Sequence, residues 1–271
     1  MEFVCDRQIR LQSYLKRVLP AATQTHLQAC INEGTVRVNG SPFCGLALAA
    51  GDVVEIPLDS ALLDVVYEDE QILVINKWQG IAVTEDKTLT LSDYVTSYCN
   101  APVFPCHRID FNTGGLVLFA KTQIVLQAAI AAFANGAVKK YYECIVSGVA
   151  QPTMDCYAYL KKDAKRATVQ IFDGAVPGTQ RIHTGFELLA TNGALSRLRV
   201  RLYTGKTHQI RAHAAHLGFP VLGDDKYGSW QINRQYKQTK QALWAVQLDI
   251  TLLKTQYSFI APHTGLPNLG V

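Results

Sequence analysis

The sequence predicts an α+β protein, and three observations carry that reading. Apolar residues recur at helical spacing at Ile9, Leu11, Tyr14, Leu15, Val18 and Leu19, and residues 122–134 form an Ala-rich stretch that reads as a further helix. Residues 195–203 alternate cleanly, with Leu198, Val200 and Leu202 on one side and Arg197, Arg199 and Arg201 on the other. The remaining apolar runs are short and bounded by Gly, Pro, Asn or Asp, as strands are.

A chain of 271 residues is long enough for one large core, or a core with a small appendage. Its 48% apolar and 18% charged content are ordinary for a soluble globular protein. No apolar run reaches the roughly 18 residues that a membrane span requires, so no membrane partner is expected. Met1 to Arg7 lacks the basic and apolar segments of a signal peptide. The seven cysteines, Cys5, Cys30, Cys44, Cys99, Cys106, Cys144 and Cys156, are scattered and form no Cys-x-x-Cys pair. They point to reduced thiols in the cytoplasm and away from a structural zinc site.

Residues 1–58 read as a separate small module. Its first helix ends at Pro20. Thr25 is placed to cap a second, with Leu27, Cys30 and Ile31 inward and Gly34 at its end. Thr35 to Gly40 alternates and closes on Asn39-Gly40, the strongest short hairpin signal. Gly51-Asp52 makes another turn before the strand Val53 to Ile56, and Pro57 closes the module.

Residues 59–271 form the larger domain, opening with a short link at 59–62. Leu63 to Tyr67 and Ile72 to Ile75 read as strands joined at Glu68-Asp69-Glu70, and Leu91 to Tyr98 as a short helix. The helix over 122–134 starts at Thr122 and stops near Asn135-Gly136. Strands follow at Tyr141 to Val146, Phe186 to Ala190, 195–203, Leu243 to Ile250 and Tyr257 to Ala261, with a helix from Thr207 that Gly218 ends. Residues 151–180 show no clear period, and Lys161 to Arg166 reads as an exposed basic turn.

Within this domain lies Cys106-His107-Arg108-Ile109-Asp110-Phe111-Asn112-Thr113-Gly114-Gly115, ahead of the buried-strand run from Leu116 to Lys121. A carboxylate, an arginine and a histidine crowd against the start of a buried strand. The paired glycines suit a tight turn or a close backbone approach to a ligand. From these residues alone, a site and a surface Arg-Asp pair are equal readings. Net charge is +4, and residues 196–240 hold nine Lys and Arg against Asp224 and Asp225. That excess fits a polyanionic partner, or a solvated basic face. His213 and His216 share a helix face, but no third ligand accompanies them and His208 lies off that face, so no metal is expected. Of Tyr141 and Tyr142, one ring can serve a site and the other pack in the core.

Four separated segments, covering 63–262 in order, resemble the RluA class of RNA pseudouridine synthases. They are Glu-Asp-Glu-x-Ile-Leu-Val-Ile-Asn-Lys-x-x-Gly over 68–80, and His-Arg-Ile-Asp-x-x-Thr-Gly-Gly-Leu-Val-Leu-Phe-Ala-Lys over 107–121. Lys-x-Tyr follows at Lys140 and Tyr142, then Thr-Gly-Lys-Thr-His-Gln-Ile-Arg-x-His over 204–213, with Gly-Asp-x-x-Tyr-Gly ending at Gly228. Residues 1–58 resemble the αL-motif RNA-binding domain first seen in a small-subunit ribosomal protein. Here Thr23-Gln24-Thr25 stands where a Ser-Arg pair is usual, and the module's net charge is zero, which implies weak RNA binding or binding only alongside the main domain.

The resemblance implies a core built on a central mixed, mainly antiparallel sheet flanked by helices. It implies an isomerase, needing no cofactor or metal, that converts specific uridines of structured rRNA or tRNA to pseudouridine. Asp110 is then the nucleophile, attacking carbon 6 of uracil or the anomeric carbon of ribose; Tyr142 lies against the flipped base; Arg211 pairs with Asp110; Arg108 fills the vacated stack. A nucleophilic carboxylate must be ionised and aimed, which an arginine neighbour achieves. Extruding the target base costs roughly a few kcal/mol. The further expected substrate and RNA contacts are His107, Thr113, Lys140, Arg199, Arg201, Lys206, His208, Gln209 and Ile210. Phe111, Trp78 and Trp244 depart from the pattern, where arginine, proline and histidine are usual. RNA is the expected partner of a cytoplasmic monomer. The competing reading is a catalytically silent RNA-binding or ribosome-assembly protein, against which the presence of Asp110, Tyr142 and Arg211 counts. A glycosidase would need a second carboxylate, and 106–121 offers only Asp110.

Overall fold

The computed structural model describes residues 1–20, 22, 24–43, 45, 47–86 and 89–269, and the backbone alone at Ser60 and Ala61. The N-terminal segment runs β1 (Glu2–Val4), β2 (Ile9–Arg10), α1 (Leu11–Val18), α2 (Gln24–Asn32), β3 (Arg37–Val38), β4 (Ser41–Pro42), β5 (Ala47–Leu48) and β6 (Val53–Glu55). Its small sheet is ordered β1-β6-β3-β4. Asn39 and Gly40 take φ of 51° and 79°, and Val38 faces Ser41 across them, so the Asn-Gly signal becomes a two-residue hairpin. Because α2 begins at Gln24, Thr25 lies inside the first turn and is not the cap. Thr23 of the departing triplet, and Cys44, lie outside the described residues.

This segment packs on the rest of the chain. The Phe3 and Tyr94 rings are 5.8 Å apart, and the Tyr94 hydroxyl donates to the Val18 carbonyl at 2.7 Å. One apolar cluster runs from Leu15 and Leu27 through Tyr94 to Val117 and Leu198. Each fully buried aliphatic side chain in it contributes about 2 kcal/mol.

The chain continues through α3 (Ser60–Leu63), β7 (Val65–Glu68), β8 (Ile72–Lys77), α4 (Leu91–Cys99), β9 (Phe104–Pro105), β10 (Gly114–Ala120) and α5 (Gln123–Ala134). Then come β11 (Lys139–Ser147), β12 (Thr153–Asp163), β13 (Thr168–Phe172), β14 (Gln180–Thr191), β15 (Leu195–Leu202), α6 (Gln209–His216), α7 (Trp230–Gln235), β16 (Leu243–Leu252) and β17 (Thr255–Ile260). Eleven strands join in the order β13-β12-β14-β15-β11-β16-β10-β8-β7, with β17 on β16 and β9 on β10. Among the described residues only β10 and β16 pair in parallel, so the sheet is mixed and mainly antiparallel, as the resemblance implied. No helix of the described residues is long and apolar enough to cross a membrane.

Two glycines permit the parallel join. A Cβ at Gly115, whose φ is +111°, would lie 2.2 Å from the Ala245 carbonyl oxygen, and one at Gly114 would lie 2.3 Å from the Trp244 ring. The stretch 151–180 proves to be the β12–β13 hairpin. Lys161 and Lys162 belong to β12 itself and the turn spans 164–167. Its period is obscured because Tyr157 and Tyr159 stand on the outward face while Ala158 and Leu160 are buried inward. α5 is capped by the Thr122 hydroxyl and shares an apolar cluster with Leu116 and Leu118 of β10. α6 places Ile210 and Ala214 in the cluster of Phe186, Leu198 and Val200.

Candidate active site

Asp110 sits in the loop that leads into β10, in a turn closed by the Thr113 N–H donating to the Asp110 carbonyl at 3.0 Å. The next residue fixes that loop from below. The Phe111 carbonyl accepts from the Gly80 N–H at 2.9 Å and from Lys77 Nζ at 3.2 Å. Lys77 is fully buried, and its ammonium also donates to the carbonyls of Trp78 and Ile81. Burial pushes its pKa down to about 7, with the Asp110 charge acting in the opposite direction.

Arg211 reaches this loop from the first turn of α6. Its Nη1 donates to Asp110 Oδ2 at 3.1 Å. The rest of the guanidinium is held elsewhere: Nε and Nη2 grip both oxygens of Asp224 at 2.6 and 3.0 Å, and Nη2 also meets Asp225 at 3.1 Å. The Arg211 side chain is 5% exposed and that of Asp224 0%, whereas that of Asp110 is 27% exposed. Asp224 accepts in addition from the N–H groups of Lys226 and Tyr227. A two-point grip on a planar fork fixes its rotation, so one N–H is left directed at Asp110. Burial alone would lower the Arg211 pKa, but Asp224 and Asp110 more than offset it and the net shift is upward. The same pairing outweighs burial at Asp224 and lowers its pKa.

Tyr142, from β11, is buried. Burial first, and the Asp110 charge second, raise its pKa, so the phenol keeps its proton at neutral pH. It lines one narrow cavity with His107, Leu116, Lys140 and Leu248. A bulge in the β11–β16 register falls between Tyr141 and Tyr142, beside this cavity. Among the described residues, no group of three or more His, Cys, Asp and Glu side chains is placed to hold a metal ion.

The family model described as RNA pseudouridylate synthase matches residues 71–216. The chain belongs to this family. An uncharacterised RNA pseudouridine synthase of Mycoplasma pneumoniae is 30% identical, over 92% of this chain and 86% of its own. The protein named ribosomal large subunit pseudouridine synthase D in Pseudomonas aeruginosa is also 30% identical, over 81% of this chain and 73% of its own. The solved structure of human RNA pseudouridylate synthase domain containing 1 superposes with a TM-score of 0.67 at 25% identity, covering 76% of this chain and 86% of that one. The pseudouridylate synthase match makes this chain an isomerase that acts on RNA.

Around the Asp110–Arg211 pair the structure sorts the expected RNA contacts into two groups. Arg108 is 74% exposed at the rim, 4.0 Å from Glu85. Lys206 is exposed, and Lys140 is half-buried beside Gly205. His208 forms the entry to α6 at φ 52° and its Nδ1 hydrogen-bonds the Tyr227 hydroxyl at 2.9 Å.

The other expected contacts are placed differently. Ile210 is a core residue, 4% exposed. Gln209 is buried and ties α6 to β14 through His183 and Thr184. Thr113 is buried and accepts from Gln241. The His107 ring turns inward, accepts from the Leu118 N–H and packs on Phe133. Burial, with Lys140 adding, pushes its pKa down to about 3, so it stays neutral. Register sets Arg199 and Arg201 apart from the Tyr142 side. Tyr142 pairs with Val200 and shares its face, whereas Arg199 and Arg201 pair with Glu143 and Tyr141 and project from the opposite side of the sheet.

The paired histidines have separate partners, His213 with Thr184 and His216 with Asp173. Sequence reasoning gave Asp224 and Asp225 no role, counting both as charge and quoting Asp224 only as a motif letter. The available signal was Gly223-Asp224 within the family motif. Of the departures, Trp244 donates to Asn76 Oδ1 at 2.9 Å and packs on Gly114, while Phe111 is 47% exposed next to Asp110.

Proposed function

We propose that this isomerase uses Asp110 as its nucleophile on uridines of ribosomal RNA. The observation that carries the reading is the Arg211–Asp110 contact at 3.1 Å, with Arg211 anchored behind it by Asp224. The carboxylate attacks the extruded nucleotide, at carbon 6 of uracil or the anomeric carbon; the N1-glycosidic bond breaks, the ring rotates, carbon 5 bonds to the anomeric carbon in its place, and the bond to Asp110 breaks, returning the free carboxylate. Arg211 holds and aims the Asp110 carboxylate. Tyr142, protonated in its buried position, packs against the base and supplies a hydrogen-bond donor as the proton on carbon 5 is lost and that on N1 gained. Arg108, exposed at the rim, occupies the gap left by the flipped base. The large-subunit ribosomal substrate is favoured by the relatives named for it. Residues 1–58 act as an accessory RNA-binding module beside a catalytic domain of 59–271, in a cytoplasmic monomer.

The test is Asp110→Asn. Pseudouridine formation on ribosomal RNA, read by mass spectrometry, is expected to vanish while RNA affinity stays within about twofold, since one carboxylate at the rim contributes little to phosphate contacts. Turnover retained by that variant would sink the assignment.

A further inference from the structure

The sheet face opposite Tyr142 is open over β12, β14, β15 and β11, and it is not bland. Tyr157, His183 and Tyr203 stand side by side on adjacent strands as a stacked column. The first two rings are 4.1 Å apart at 16°, the last two 3.8 Å apart at 1°. Guanidinium groups close both ends: Arg181 lies 4.5 Å over Tyr157 and Arg201 4.4 Å over Tyr203. One strand further on, Arg199 lies 4.9 Å over Tyr141. Three of the seven cation–π pairs among the described residues lie on this one face of four strands. Tyr157 is 53% and Tyr203 39% exposed, although their neighbours Ala158 and Leu202 are buried on the other side.

Among the described residues, no helix covers this part of the face. At one end Ile145 and Leu195 are covered by Ile232, Leu266 and Leu269, and there the face is aliphatic. Beyond them the composition changes to aromatic rings and cations, including the exposed Lys139 and Lys161. The carboxylates are mostly engaged. Asp155 is bound to His183 at 2.6 Å, Glu143 to Arg197, and Asp249 to Gln247 and Ser258, while Glu187 faces Arg199 in the register.

We propose that this face is a second RNA-binding surface, taking single-stranded RNA that flanks the nucleotide held near Asp110. Arginines braced on aromatic rings over an uncovered sheet match both demands of a single strand: the outer guanidinium planes for unstacked bases, and their charge for the phosphates. The surface is separated from the Asp110 cleft by the thickness of the sheet, so a strand must pass round its edge to reach both. The inference goes beyond the isomerase reading and does not depend on which residue is the nucleophile.

The experiment titrates the full chain with a fluorescein-labelled 12-nucleotide oligouridine, read by anisotropy at several salt concentrations. Tyr157→Ala and Tyr203→Ala are each expected to weaken binding at least about fivefold, because each releases the arginine plane it braces and so costs one base stack. Arg181→Gln and Arg201→Gln are each expected to reduce the salt slope by roughly 0.7. Thermal melts by circular dichroism establish that the variants remain folded. A 5-iodouridine version of the oligonucleotide should cross-link to peptides containing Tyr157, His183 or Tyr203. Affinity and slope unchanged in folded variants, with cross-links confined to residues 107–118, Tyr142 and 206–211, would overturn the proposal. A surface built for an acidic protein would give that same negative result.

Discussion

β11 and β15 carry two chemistries on their two faces, and a single step along the chain separates them. Tyr142 and Val200 point toward α6, where Arg211 is held between Asp110 and Asp224. Tyr141, Arg199 and Arg201 point the other way, into solvent, where pairing is loose and stacked. The inward face is an ion network desolvated enough to shift pKa values. Its outward counterpart is a screened array in which individual contacts are weak but many are available to a ligand. The same residue types, arginine and aspartate, therefore stabilise strongly on one side and mainly recognise on the other, and burial decides which.

That contrast can be broken most severely at Asp224. Asp224→Asn removes the carboxylate that anchors Arg211 and leaves the guanidinium buried with weaker partners, so unfolding free energy should fall by about 3–5 kcal/mol. Urea denaturation measures it, and turnover should fall with it because Arg211 is no longer aimed.

An intermediate effect is expected at His213, which is 1% exposed on the same inward side and whose pKa burial pushes down to about 4. A depressed histidine contributes stability that is complete above its unfolded value near 6.5 and is lost as pH falls toward 4. The loss over that window is roughly 3 kcal/mol. His213→Gln should flatten the stability profile between those limits. A profile as steep as that of the parent chain would show the histidine to be irrelevant.

The smallest effect is reserved for the outward side. Asp155→Asn breaks a pair of similar length, 2.6 Å to His183, but one whose carboxylate is 59% exposed. It should change stability by less than about 1 kcal/mol, and less still in high salt. A larger loss would mean that the outward face is a structural element in its own right.

Local signals were legible wherever one residue decides the backbone. Asn39-Gly40 announced its hairpin, and Thr122 with Gly136 bounded α5. The alternation over 195–203 was equally plain, yet it does not say which side faces a cleft. That depends on pairing with β11, which lies on the far side of the β12–β14 excursion, and on the bulge beside Tyr142. Asp110 and Arg211 were named because motifs flagged them, not because anything local links residues 101 positions apart. Asp224 was missed for the converse reason: its role exists only once α6 and the loop after it fold back on each other. Gln209 and Ile210 stood inside a recognised motif, and there helix packing, not RNA, accounts for their placement.

The parallel join of β10 to β16 also bears on how the molecule comes into being. Gly114 and Gly115 find their strand partners Trp244 and Ala245 only about 130 positions further along. Until synthesis has delivered β16, the β10 edge opposite β8 is paired only at Phe119 and Ala120, by β9, and closing so long a loop is slow relative to forming the β12–β13 hairpin. The Asp110 loop, which opens onto that edge and meets Arg211 across 101 positions, is therefore among the later parts of the sheet's surroundings to assemble.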